Sequence, residues 1–130
     1  MKKIKKIAAS IMAVAAMATS MVGISASAAT NSFKSEHFYP GTGTASAELT
    51  YSKGTSYTPA TRAVSNNIIS VSVSWEATTS FSTVYSPVFT GYTYISTNVT
   101  SSNVGGTITS FTSHHSASTS SATASKDLTA

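Results

Sequence analysis

The sequence predicts an all-β protein, a small antiparallel β-sandwich, and three observations carry that prediction. Residues 44–52 (TASAELTYS) and 68–77 (IISVSVSWEA) alternate apolar and polar side chains with a period of two, the signature of a strand with one buried and one wet face. Gly, Pro and Asn signals punctuate the chain at short intervals, and beyond the N-terminal stretch no window carries a helical apolar period. Six or seven short strands in about 100 residues make a two-sheet sandwich, with a small β-barrel as the alternative.

Residues 1–28 stand apart from that body. A basic start (Lys2, Lys3, Lys5, Lys6), an apolar run over 7–24 and the small-residue triplet Ala26, Ser27, Ala28 read as a Sec-type signal peptide, a helix cleaved near Ala28 and Ala29. A retained membrane anchor is the rival reading, but the run is short of a span of roughly 20 residues and is rich in Ala, Ser and Thr. The expected plan is a signal peptide over 1–28, one β-domain over 29–115, and a Ser/Ala/Thr-rich edge strand or mobile tail over 116–130. The expected location is extracellular, and the short Lys-rich leader has a bacterial character.

Cleavage would change the charge. The whole chain carries +4, yet the body keeps Lys34, Lys53, Arg62 and Lys126 against Glu36, Glu48, Glu76 and Asp127, four against four. A neutral body lacks the clustered cations that bind nucleic acid or anionic lipid. Cysteine is absent, which excludes a thiol nucleophile and a Cys-type zinc site, and leaves packing and strand pairing to hold a domain of secreted size.

The elements follow in order. Residues 32–39 (SFKSEHFY) form a first strand, closed by Pro40-Gly41-Thr42-Gly43, and 44–52 a second, with Ala45, Ala47, Leu49 and Tyr51 inward. The stretch TSYTPATRA after Lys53-Gly54 reads as a long connection, broken by Pro59. After the Asn66-Asn67 turn, the third strand turns Ile69, Val71, Val73, Trp75 and Ala77 inward against a Ser/Glu face. Trp75 takes the place of the core tryptophan of an immunoglobulin-like sandwich, although the paired cysteines of that fold are missing. Residues 81–86 form a short strand ending at Pro87. Residues 88–100 carry apolar groups on both parities, Val88, Tyr92 and Tyr94 against Phe89, Ile95 and Val99, with a bend at Gly91. Ser101-Ser102-Asn103 turns the chain into a sixth strand over 104–113.

Reactive constellations are sparse. His114 and His115 are adjacent, so on a strand they point to opposite faces and do not share a metal ion, and His37 is a distant third; the reading is solvent-facing histidines and no metal. A Ser-His-Asp site lacks a G-x-S-x-G setting, and Asp127 lies in the expected tail. Glu48 and Glu76 on polar strand faces could form a glycosidase-like carboxylate pair, against the plainer reading of exposed ion pairs. No catalytic residue and no cofactor follow from these patterns.

Tyr92 and Tyr94 are the candidate ligand-binding residues. At i and i+2 they share a face, and if exposed they form a platform for stacking on sugar rings beside Ser, Thr and Asn hydrogen-bonding groups. The expected function is a secreted, non-catalytic β-domain binding an extracellular polysaccharide, cell wall or surface protein. The alternatives are a small bacteriocin-like effector acting on competitor envelopes and a self-assembling structural protein. Ser/Thr-rich strands such as VGGTITSFTS with few charges could leave an edge open to a second copy, giving a homo-oligomer.

Overall fold

A computed structural model describes residues 31–130; the expected signal helix lies outside the described residues. The chain is all-β, with two antiparallel sheets facing one another, an arrangement consistent with a small sandwich. Sheet one runs β1 (Ser32–Phe38), β2 (Ala45–Ser52), β3 (Ser56–Ala63) and β7 (Tyr94–Ser96), with β8 (Val99–Thr100) also on β3. Sheet two runs β10 (Thr123–Thr129), β9 (Ser110–Ser118), β4 (Ser70–Thr78) and β5 (Thr83–Tyr85), with β6 (Phe89–Gly91) also on β4. The two sheets share no ladder among the described residues, so the barrel alternative is not realised.

Alternation in the sequence becomes the two faces of each strand. Ala45, Ala47 and Leu49 of β2 and Val71, Val73 and Ala77 of β4 are buried between the sheets, with the intervening polar residues outward. Four aromatic rings cross the interior from one sheet to the other. Tyr51 stacks on Tyr57 at 5.6 Å, Tyr57 on Phe111 at 4.4 Å, and Phe111 on Trp75 at 6.1 Å, bringing β2 and β3 against β9 and β4. The Tyr57 hydroxyl accepts from the Gly54 N–H at 2.8 Å. Gly54 itself has φ +84°, the left-handed conformation that this turn requires and that glycine takes without a Cβ clash.

The structure corrects several expectations. TSYTPATRA is the central strand β3, with Tyr57, Pro59 and Thr61 buried. Pro59 is tolerated because its donorless side faces the break between β7 and β8. There its carbonyl accepts from Thr97 N–H, and the Asn98 amide spans the gap to Thr58 Oγ1 at 2.8 Å. Ile69 is 55% exposed; regular pairing starts at Ser70, and Ile68, leaving the Asn66-Asn67 turn, fills the end of the core instead.

The sixth strand is displaced. β9 spans Ser110–Ser118, preceded by a single helical turn, α1 (Ser101–Val104), with a Thr100/Asn103 capping box and Gly105 at its C-terminus in the left-handed region. A boundary after residue 115 therefore falls inside β9. The last residues form β10, an edge strand paired with β9 over seven positions and anchored by buried Leu128. β9 is internal, between β10 and β4, so the strand expected to offer an open edge has none.

Residues 88–100 resolve their two-sided pattern by crossing between sheets. β6 pairs with β4 and β7 with β3, turning Phe89, Ile95 and Val99 inward and leaving Val88, Tyr92 and Tyr94 outward. Gly91 sits at the crossing, where a Cβ would lie 2.6 Å from the Tyr94 carbonyl oxygen. The expected bend at Gly91 is thus a close approach of backbone to backbone.

Candidate functional site

The outward face of sheet two is a grid of hydroxyls. Ser70 and Ser72 of β4 lie opposite Ser118 and Ser116 of β9, Ser125 of β10 continues the row through Ser116, and Ser74 lies opposite His114. Neighbours within a row lie about 4.8 Å apart, the spacing between strands. Charged groups cross the grid once: Asp127 of β10, His114 of β9 and Glu76 of β4, with Tyr85 of β5 paired beyond Glu76.

His114 is held at both ring nitrogens. Nδ1 lies 2.9 Å from Asp127 Oδ1 and Nε2 2.9 Å from Glu76 Oε2. An imidazole donates to two carboxylates only as the imidazolium. Partial burial opposes that charge, and the hydrogen bonds and charges of Asp127 and Glu76 outweigh it, so the pKa lies above 6.5. Asp127, expected in a tail, is a fixed member of this cluster because β10 is a paired strand.

His115 points the other way and corrects the solvent-facing expectation: it is 1% exposed, between the sheets. Thr61 Oγ1 donates to the Ser72 carbonyl at 2.7 Å, so it accepts from His115 Nδ1–H at 2.9 Å; Nε2 is then left to accept from Ser113 Oγ at 2.7 Å. The chain of bonds runs from β9 through β3 to β4 and ties the sheets together. Burial drives its pKa down to about 4. A sequence signal existed: Phe111 and Ala117 share the parity of residue 115, and both are core. Ser113 and His115 form a Ser–His pair, both closed off from solvent.

The two glutamates are not brought together. Glu48 is on the outward face of sheet one and Glu76 on that of sheet two, so the sandwich separates them. Glu48 takes the Arg62 guanidinium, Nε to Oε2 at 2.9 Å and Nη2 to Oε1 at 3.3 Å. Arg62 in turn lies 4.5 Å over the Tyr94 ring. His37 is on exposed β1, so the three imidazoles occupy three separate surroundings.

The tyrosines are both at the surface. Tyr92 is 82% exposed in the turn between β6 and β7, and Tyr94 is 45% exposed on sheet one, with its ring against Arg62. Phe81 and Tyr85 are exposed as well, so the segment 81–94 carries four outward aromatic rings, with Tyr85 beside Glu76 on sheet two and Tyr94 over Arg62 on sheet one. Trp75 is only half-buried, and its indole Nε1 is enclosed with no acceptor among the described residues. Comparison of the chain with protein-family models, curated proteins and solved structures gives no match.

Proposed function

We propose that the protein is a secreted, non-catalytic binding module for a neutral extracellular polysaccharide. Tyr92 and Tyr94 stack on sugar rings, and neighbouring hydroxyls and amides exchange hydrogen bonds with them. The observation that carries this reading is the exposure of Phe81, Tyr85, Tyr92 and Tyr94 within one 81–94 segment. Large aromatics are usually core, and four left in water on one stretch of chain mark that stretch for contact. The balanced charge of the body fits an uncharged ligand. An immunoglobulin-like strand arrangement belongs to the same reading, since such sandwiches carry their contacts on loops and edges.

The test is depletion of the soluble protein by insoluble cell walls and a panel of insoluble polysaccharides, against an inert domain of similar size. Selective loss to one polymer supports the reading. Uniform recovery from all of them overturns it and turns attention to a surface protein or to growth inhibition of neighbouring bacteria.

A further inference from the structure

The free edge of sheet one carries a charge pattern that is complementary to itself. β1 has only β2 as a neighbour, and all its residues except Phe38 are exposed. In an antiparallel strand the N–H and C=O of one residue point to the same side, and successive residues alternate. Ala63 N–H donates to Thr93 and the Pro59 carbonyl accepts from Thr97, so odd-numbered residues of β3 bond toward β7 and even-numbered ones toward β2. The register then turns Ser46 and Glu48 of β2 toward β3, and Ala47 and Leu49 toward Glu36 and Lys34 of β1. The backbone groups of Phe33, Ser35 and His37 are left pointing out of the sheet.

We infer that β1 pairs with β1 of a second copy, antiparallel about a twofold axis at Ser35. Outward-bonding residues must face outward-bonding residues, which allows only registers that differ by two. Centred on Ser35, the pairing opposes Lys34 to Glu36 of the second copy twice over, and stacks Phe33 beside His37 of the second copy. A slip by two residues in one direction opposes Lys34 to Lys34, and in the other Glu36 to Glu36. Like charges directly opposite are unfavourable and unlike charges favourable, so the Ser35-centred register is favoured over both of its neighbours. An edge strand guarded by a single inward lysine would repel every partner; the Lys34 and Glu36 combination attracts its own twofold image and repels the two neighbouring registers. Within the monomer Lys34 reaches the Thr129 carbonyl and Glu36 reaches Lys126, which holds both side chains at this edge. The inference is independent of the polysaccharide reading.

The test uses the chain produced from its whole sequence, with sedimentation velocity over a concentration series. A reversible dimer is expected. Lys34→Glu or Glu36→Lys alone weakens association by roughly tenfold, since two symmetric pairs turn from attraction to repulsion. The double reversal, K34E with E36K, restores it. Because the chain has no cysteine, Ser35→Cys adds a single thiol opposite its own image, and mild oxidation is expected to give a linked dimer. A monomer at every concentration with no S35C cross-link overturns the inference. So does association that the single reversals leave unchanged.

Discussion

At the scale of residues, the two neighbouring histidines make opposite contributions to stability. His114 has a raised pKa, so its clamp between Asp127 and Glu76 is complete below about pH 6.5 and is lost as pH rises through its folded value. His115 has a lowered pKa, so its contribution is complete above about pH 6.5 and is lost as pH falls toward 4. For this enclosed group the loss amounts to roughly 3 kcal/mol. Urea midpoints measured from pH 4 to 9 should pass through a maximum near neutrality. His115→Gln should flatten the acid side even though it lowers stability at pH 7, and His114→Gln should flatten the alkaline side. An unchanged acid slope in the His115 variant would remove the buried imidazole from the account. Trp75 makes a second residue-scale test. Trp75→Ala should lose about 3 kcal/mol by opening a void beside Phe111. Trp75→Phe keeps the stack and removes the enclosed, unpaired indole N–H, so it should stay within about 1 kcal/mol of the parent in urea unfolding.

At the scale of elements, Gly91 and Gly106 offer a contrast. A Cβ at Gly91 would collide with the Tyr94 carbonyl at 2.6 Å, whereas one at Gly106 would meet the Phe81 ring at an ordinary 3.7 Å. Gly91→Ala should therefore cost about 2 kcal/mol, roughly 10 °C in melting temperature, and Gly106→Ala close to nothing. Equal melting temperatures would mean that the β6 to β7 crossing is loose. The strands that sequence reveals are those whose periodicity has large apolar residues on one parity: β2 through Leu49 and Tyr51, β4 through Val71 and Val73. β3 escapes notice because its inward parity is Tyr57, Pro59, Thr61 and Ala63, a single large apolar ring among small or turn-forming residues. Its proline is permitted by a gap in the neighbouring strand, a fact of tertiary pairing. β10 escapes because Leu128 is its one large apolar side chain, and its order comes from pairing with β9. The exposure of Tyr92 and Tyr94 is legible only as a choice of parity, which Phe89, Ile95 and Val99 decide by turning inward. The Asp127, His114 and Glu76 cluster depends on three strands meeting in register, and no local pattern announces it.

At the scale of the molecule, the body has two dissimilar sides. On one, β1 and β10 close the sandwich through Lys126 to Glu36 and Lys34 to the Thr129 carbonyl. On the other, the segment 81–94 leaves Phe81, Tyr85, Tyr92 and Tyr94 in water. Contact with a polymer through the second side would leave the first free for a second copy, and two linked modules would bind a repeating polymer more tightly than one by raising the effective concentration of the second site. On the proposed reading the two tyrosines act in contact and contribute little to folding. Its most direct test is the affinity of the Tyr92→Ala, Tyr94→Ala variant for the polymer that depletes the parent, with melting temperatures measured on both. Removing the two stacking rings is expected to lose at least about tenfold in affinity, with melting temperatures close together. Affinity equal to the parent's, or a fall in melting temperature that accounts for the lost binding, would contradict it.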